Sequence, residues 1–284
     1  MPTSTEPAPA SSTAGRGVRR AVYVAPFGEL ADPRALADVA AASERAGWDG
    51  VFVWDHVWRP EQRASEVGDA WVSLAAIATA THRVRIGPMV VPLARRRPQI
   101  VARASVALDR LSGGRLTIGV GLGVDTGGEL ARFGEEVDPR RRAARLDEAL
   151  GLVRDLWSGE PVQHHGEHYL ADDVRFLPVP VQRHLPVWGA AWGGGAGMRP
   201  VRRAARLDGL FPWQVSPAQL REMVSVVAEE RGGTAGFDVA VGARDDRVAA
   251  AMFDAGATWL VRALPEAVTV RHAMHAAEQV DSYG

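Results

Sequence analysis

An acid–histidine pair, Asp55–His56, directly follows an apolar run, Gly50–Trp54, that is typical of a buried strand. A neutral imidazole at a strand end can donate to a bound cofactor ring or move a proton near pH 7. His56 is therefore a candidate catalytic residue. The alternative is a loop pair that only hydrogen-bonds the rim of the fold.

Glycines follow another predicted strand, in the stretch Gly119-Val-Gly-Leu-Gly123. Glycine lets a flat ring or a phosphate approach the backbone closely, so Gly119, Gly121 and Gly123 are candidate cofactor contacts. The stretch is not a dinucleotide-binding fingerprint, because Val124 stands where that motif has its last glycine. A tight turn explains the same glycines equally well.

A second glycine-rich stretch, Gly189–Gly197, precedes a predicted helix that carries Arg199, Arg202 and Arg203. Small residues ahead of a helix N-terminus can form an anion site from backbone N–H groups. We therefore predict a phosphate or cofactor-tail site here. A flexible loop is the alternative.

The composition excludes several kinds of chemistry. The chain has no cysteine and no lysine, which excludes thiolate nucleophiles, iron–sulfur clusters, Schiff-base lysines and P-loop lysines. Three histidines cluster at His164, His165 and His168 but lack the carboxylate pattern of a zinc motif, so we predict a structural role and no metal site. The run Arg95–Arg97 is interpreted as solvated, or else as a partner of an anionic cofactor tail.

Strands and helices alternate along the chain with no polar linker between them, which requires a parallel sheet with helices outside it. Eight such units in about 260 residues predict a single (β/α)8 TIM barrel, with an open doubly wound sheet as the alternative. The predicted strands are Val22–Phe27, Gly50–Trp54, Val84–Val91, Leu116–Gly121, Pro186–Ala190, Gly209–Phe211, Phe237–Val241 and Thr258–Arg262. The predicted helices are Pro33–Ala46, Ala70–Ala80, Gln99–Leu111, Arg142–Trp157, Pro200–Arg206, Pro217–Glu230, Asp245–Ala255 and Glu266–Val280.

One segment departs from this alternation. The stretch Pro161–Gln182 lies between helix 4 and strand 5 and carries two short alternating runs with many turns. We interpret it as an inserted hairpin or excursion with room to cover the barrel mouth.

The N-terminal residues and the net charge limit the location and the kinds of partner that we expect for this protein. Residues 1–17 are rich in Pro, Ser, Thr and Ala, which predicts a disordered tail rather than a signal peptide, ahead of one domain over residues 18–284. The net charge is −1, so no global field favours nucleic acid or an anionic membrane. We expect a cytoplasmic protein with a small-molecule substrate, and a homodimer is left open.

Taken together, these segments resemble the bacterial luciferase-like family of flavin- and F420-dependent oxidoreductases. The likeness runs in order from about residue 20 to residue 215. The stretches that carry it are Ala46–His56, Leu108–Gly121, Arg145–Leu150, Leu156–Pro161, Pro186–Gly189 and Arg202–Arg206.

The resemblance implies a cofactor ring across the strand ends, with His56 as the candidate proton donor. It implies that Asp55 lies beside the ring, that Met89 and Val90 back it through a cis peptide bond, and that Arg145 contacts a phosphate. Further implied ring and tail contacts are Gly119, Gly121, Gly123, Gly189, Ala190, Ala191 and Trp192.

The sequence does not decide which cofactor is bound or which activity the protein has. F420-using relatives often have an acid where this chain has Val124, and flavin-using relatives have an arginine near Leu122, so FMN and F420 are both retained. The expected activity is hydride transfer to or from a small organic substrate, with oxygen incorporation if the cofactor is FMN. The alternatives are a non-catalytic cofactor-binding or storage barrel and, ranked last, a metal-dependent hydrolase.

Overall fold

A computed structural model describes residues 17–60, 66–125, 127–194 and 197–280. The strands are β1 (Arg19–Val24), β2 (Gly50–Val53), β3 (Arg85–Pro88), β4 (Val91–Pro92), β5 (Ile118–Gly121), β6 (Pro161–His165), β7 (Leu170–Arg175), β8 (Val187–Trp192), β9 (Gly209–Trp213), β10 (Asp238–Gly242) and β11 (Trp259–Ala263). The helices are α1 (Pro33–Ala46), α2 (Ala70–Ala80), α3 (Pro98–Leu111), α4 (Pro139–Trp157), α5 (Arg199–Ala204), α6 (Pro217–Arg231), α7 (Asp246–Asp254) and α8 (Val270–Ala277).

Nine strands form one parallel sheet in the order β3-β2-β1-β11-β10-β9-β8-β5-β4. β3 and β4 are two halves of one barrel strand: the first half pairs with β2 and the second with β5. The sheet closes between β3 and β5, where Ile86 N donates to Arg115 O at 3.0 Å and Thr117 N donates to Ile86 O at 2.9 Å. The predicted TIM barrel is therefore confirmed, and the open sheet is wrong.

The helices begin and end where capping chemistry places them. Asp32 caps α1 through the N–H of Arg34, and Gly47 ends the helix in the left-handed conformation that glycine adopts without strain. Asp138 caps α4 in the same way, so this helix begins at Pro139 rather than at the predicted Arg142.

The first and last elements differ most from their predicted bounds. β1 begins at Arg19 instead of Val22 because the N–H of Arg19 already pairs with the carbonyl of Thr258 next to β11. The helix predicted over residues 266–280 is shorter, since the side chain of Thr269 accepts from the N–H of His272 and starts α8 at Val270.

The barrel interior is aromatic. Phe52, Trp188 and Trp259 are fully buried, and the ring of Trp188 lies 5.4 Å from that of Phe52 and 5.5 Å from that of Trp259. Aromatic pairs at these separations add to the free energy of burial. A larger aliphatic core packs between the strands and the surrounding helices.

The segment between α4 and β8 contains an antiparallel hairpin of β6 and β7. Glu148 of α4 accepts hydrogen bonds from the N–H groups of His168 and Tyr169 and also contacts His164 Nε2, so it holds the hairpin tip against α4. Among the described residues, no group of His, Asp and Glu side chains could hold a metal ion. None of the helices in the described part of the chain could span a membrane. The tail predicted over residues 1–17 lies outside the described residues except for Gly17.

Candidate active site

The carboxyl ends of the barrel strands surround a cavity of about 460 Å³, which we call the mouth cavity. It lies where active sites of this architecture occur. Side chains that line it include Tyr23, Trp54, His56, Val90, Ala190 and Trp213. No hairpin residue lines it among the described part of the chain, so the hairpin lies beside the barrel mouth rather than over it.

One wall of the mouth cavity is aromatic. The rings of Tyr23 and Trp54 stack at 5.4 Å, and Trp213 lies edge-on to Tyr23 at 5.5 Å. Phe211 contacts Tyr23 from another strand at 5.5 Å. The indole N–H of Trp54 is buried without a hydrogen-bond partner among the described residues. The cavity therefore combines flat apolar surface with an unused donor, which is the chemistry that a heteroaromatic ring would satisfy.

The peptide bond between Met89 and Val90 is cis, as predicted. The hydroxyl of Tyr23 donates to the carbonyl of Met89, so β1 holds this bend in place. A Cβ on Gly119 would lie 2.4 Å from Met89 Sδ, and one on Gly121 would lie 2.8 Å from Val90 Cγ2. These glycines make room for the bend of the neighbouring strand. Gly121 and Gly123 also line the mouth cavity, whereas Gly119 lies behind Met89.

His56 lies at the mouth cavity and is held by Glu129 from the loop between β5 and α4. His56 Nδ1 and Glu129 Oε2 are 2.6 Å apart, and the second carboxylate oxygen accepts from the N–H of Val57 at 2.7 Å and from Arg95 Nη1 at 2.5 Å. The Glu129 side chain is only 4% exposed. A buried carboxylate thus fixes the position of the imidazole.

The protonation state of Glu129 sets the tautomer of His56. Burial alone would raise the pKa of Glu129, but the hydrogen bond from His56, the N–H of Val57 and the charge of Arg95 outweigh it and lower the pKa to about 2. An ionised carboxylate only accepts hydrogen bonds, so Nδ1 of His56 carries the hydrogen. Nε2, which has no partner among the described residues, is left to exchange a proton with a ligand in the mouth cavity.

Asp55 forms a buried ion pair behind this site. Its carboxylate is fully buried and accepts from Arg96 Nε at 2.7 Å and Arg96 Nη2 at 2.5 Å, a bidentate arrangement. Arg95 Nη2 donates to the carbonyl of Asp55 at 3.2 Å and so connects this pair to Glu129. The interpretation of the arginine run as solvated is therefore wrong for Arg95, whose side chain is 7% exposed.

The other predicted site residues fall into two places. Gly189, Ala190, Ala191 and Trp192 line the mouth cavity, and Trp192 Nε1 donates to Gln214 Oε1 at 3.1 Å. Arg145 lies outside it, in a second cavity next to the hairpin tip.

The anion site predicted ahead of α5 finds little support. α5 has only six residues, and the arginines predicted to assist it include Arg202, paired with Glu230, and Arg203, paired with Asp147. Residues 195–196 of that glycine-rich stretch lie outside the described residues.

Sequence reasoning missed Glu129 and Tyr23 as parts of the site, and it considered Arg95 only as a solvated residue or as a partner of a cofactor tail. Glu129 follows two glycines, Gly127 and Gly128, that both have positive φ, and it lies five residues beyond Val124, where an acid was expected. The sequence did show an acidic residue in a glycine-containing loop after a predicted strand. Its pairing with His56 could not be predicted, because it depends on how the closed barrel brings the two loops together.

Comparison with known proteins agrees with this architecture. The family model described as luciferase-like monooxygenase matches residues 4–280. An F420-dependent glucose-6-phosphate dehydrogenase of Gordonia bronchialis is 38% identical over 208 residues, which is 72% of this chain and 60% of that protein. The enzyme of the same name from Amycolatopsis mediterranei is 37% identical over 57% of this chain and 48% of its own length. The chain thus spans about half to three fifths of these curated relatives.

Solved structures with the same fold include users of both cofactors. An F420-dependent secondary alcohol dehydrogenase aligns with a TM-score of 0.77 at 18% identity, over 93% of this chain and 98% of that one. The FMN-bound oxygenating component of a Baeyer–Villiger monooxygenase from Pseudomonas putida aligns with a TM-score of 0.63 at 16% identity, over 82% and 70%. At these identities the likeness shows the fold alone. With a family model that covers nearly the whole chain, the protein belongs to the luciferase-like monooxygenase family.

Proposed function

We propose that this protein is an oxidoreductase that transfers a hydride between F420 and a small organic substrate, with His56 as the residue that exchanges the accompanying proton. The observation that carries the proposal is the mouth cavity with His56 on its wall, where Nδ1 is fixed by ionised Glu129 and Nε2 has no partner among the described residues. The F420 dependence of the curated relatives supports the choice of cofactor.

The residues of the mouth cavity fit a deazaflavin ring. Tyr23, Trp54 and Val90 offer flat apolar surface, and the partnerless indole N–H of Trp54 offers a donor for a ring heteroatom. When bound, F420 would supply the hydride acceptor or donor. The chain's own contribution is to exclude water, to orient the substrate and to take the hydroxyl proton on His56 Nε2, or to return it in the reverse direction.

The charges of the mouth cavity favour an uncharged substrate. Three arginines line it, and each is paired with a carboxylate: Arg59 with Glu266, Arg95 with Glu129, and Arg203 with Asp147. A sugar phosphate needs uncompensated cations, and the chain has no lysine to supply them. We therefore infer a small alcohol or carbonyl compound as substrate, in contrast to the glucose 6-phosphate named for the relatives.

The proposal is tested by titration and turnover on the intact chain. F420 and FMN are titrated separately into the purified protein, and the F420 complex is then offered secondary alcohols, the matching ketones with reduced F420, and glucose 6-phosphate. We expect F420 to bind at micromolar or lower concentration, worth about 8 kcal/mol, and an alcohol or ketone to be turned over. Tighter binding of FMN than of F420 would indicate that the protein uses a flavin instead.

Two other outcomes would redirect the proposal. F420 binding without turnover of any compound in the panel would support the non-catalytic binding alternative. No binding of either cofactor at tens of micromolar would overturn the oxidoreductase proposal. A homodimer and a cytoplasmic location stay predictions, the second motivated by the absence of cysteine.

A further inference from the structure

A second cavity of about 390 Å³ lies between the loop before α3, the first half of α4 and the tip of the β6–β7 hairpin. We call it the second cavity and define it by Arg97, Arg145, His168 and Tyr169 on its wall. Arg95, Arg96, Glu135 and Glu167 also line it, so four arginines stand against two glutamates. Arg95 lines the mouth cavity as well, which makes the two cavities neighbours.

The two pairs of arginines differ in their partners. Arg95 and Arg96 are neutralised from behind by Glu129 and Asp55. The side chains of Arg97 and Arg145 have no hydrogen-bond or ion-pair partner among the residues that the structure describes. These two guanidinium groups are therefore available to an anion, and both can offer forked N–H donors to phosphate or carboxylate oxygens.

The hairpin supplies two further polar groups to the same wall. His168 Nε2 is buried and has no hydrogen-bond partner among the described residues. Burial raises the pKa of Tyr169 against the opposing charges of Arg145 and Arg97, so its hydroxyl stays protonated and can donate. Glu148 fixes both residues by accepting from their backbone N–H groups at 3.0 and 2.8 Å. The wall is held in place before any ligand arrives.

We propose that the second cavity binds the phosphate or carboxylate groups of a small multiply charged anion through Arg97 and Arg145. Two sources share this chemistry: the phosphodiester and glutamyl carboxylates of an F420 molecule whose ring lies in the mouth cavity, or a separate anionic metabolite. Only the first source rests on the proposed function.

The test uses pyrophosphate as the probe and calorimetry on the full-length chain at low ionic strength. The variants are Arg97→Gln, Arg145→Gln and, as a matched control on the exposed side of α4, Arg140→Gln. Thermal unfolding of each variant checks that it is folded. We expect saturable binding to the wild type, a loss of about tenfold or more in Arg97→Gln and Arg145→Gln, since each loses charged hydrogen bonds to the anion, and less than a twofold change in Arg140→Gln.

A second arm distinguishes the two sources. It compares the binding of F420 with that of the same deazaflavin lacking its phosphate and glutamyl tail. If the tail is the ligand, Arg145→Gln weakens F420 about tenfold, leaves the tail-less compound unchanged, and pyrophosphate competes with F420. If the ligand is separate, pyrophosphate binds equally well to the F420-loaded protein.

The proposal is overturned if pyrophosphate shows no saturable binding to the folded wild type, or if the two cavity variants bind it as tightly as Arg140→Gln does. The pyrophosphate arm needs no cofactor, so its failure is separate from a failure of the proposed function. That function would fail instead if neither F420 nor FMN bound at tens of micromolar.

Discussion

The mouth cavity and the second cavity share Arg95 but differ in how their arginines are paired. In the mouth cavity every lining arginine is matched by a carboxylate, and the imidazole of His56 is matched by Glu129. In the second cavity Arg97 and Arg145 have no such partner among the described residues. The first surface is mostly apolar and includes several aromatic rings, and the second consists mostly of charged side chains.

The difference shows that arginine can have two roles in one protein, depending on whether a carboxylate pairs with it. A buried ion pair contributes little net free energy but fixes the orientation of its members, which suits a site where a proton must move between defined atoms. An arginine without a carboxylate partner keeps its charge available for a ligand. Compensated charge therefore indicates positioning, and uncompensated charge indicates binding.

The largest expected effect comes from removing His56, the residue of the mouth cavity that we propose exchanges the proton. His56→Ala should lower turnover by roughly 100-fold or more, because general acid–base catalysis typically contributes that much. Cofactor affinity should change little. Rates of the purified variant on any accepted substrate measure this, with His165→Ala on the exposed hairpin as control. A rate within twofold of the wild type would show that His56 does not take part in proton transfer and only forms hydrogen bonds at the barrel rim.

Removing the charge that orients His56 should have a smaller effect. Glu129→Gln should lower turnover by roughly tenfold or more, by analogy with the carboxylates that orient histidine ligands in metal sites, which are worth about 10- to 100-fold, and it should also displace the acidic limb of the pH–rate profile. Glu129→Asp should recover part of the rate. A merely structural glutamate would change stability without moving the pH profile, and that outcome would contradict the positioning role.

Glu129 should also make stability depend on pH. Because its pKa is about 2 in the folded state and about 4.5 when unperturbed, its contribution is complete above pH 4.5 and is lost as the pH falls towards 2. That contribution is about 3 kcal/mol at neutral pH. The difference in unfolding free energy between wild type and Glu129→Gln should shrink by about 2 kcal/mol from pH 7 to pH 3. Urea titrations at both pH values measure it, and a constant difference would contradict the low pKa.

Substitution by alanine should change stability in opposite directions at two glycines with different surroundings. Gly119→Ala would place a Cβ 2.4 Å from Met89 Sδ, and overpacking of this kind costs about 1–3 kcal/mol. Gly151→Ala, in α4 with open space around it, should instead stabilise the protein by up to about 1 kcal/mol. Thermal unfolding compares the two. Equal effects would show that Gly119 is not needed to accommodate the Met89–Val90 bend.

The fold followed from the sequence because each unit carries its own local signals. α1 and α2 have the predicted bounds, since an aspartate caps each start and the chain that follows each cap is rich in apolar residues at helical spacing. β3 and β4 could not be separated from sequence, because the interruption at Met89–Val90 depends on Tyr23 and Val53 of two other strands.

The site was predictable only where its residues follow strands directly. Asp55, His56 and Gly121 are such residues, and they lie at the mouth cavity. Glu129 comes from a long loop, and nothing near it in sequence indicates that it meets a histidine 73 residues earlier. Arg145 was placed on the right helix, but the hairpin that completes its surroundings could not be positioned from the sequence.

If the deazaflavin ring binds in the mouth cavity as we propose, a bulky side chain that fills the cavity should block it. Ala190 lines the cavity from β8, whereas Ala250 is exposed on α7. F420 titrated into folded Ala190→Phe should bind at least about 30-fold more weakly than to the wild type, a loss of about 2 kcal/mol, while Ala250→Phe binds normally. Unchanged F420 affinity in Ala190→Phe would show that the cofactor does not bind in the mouth cavity.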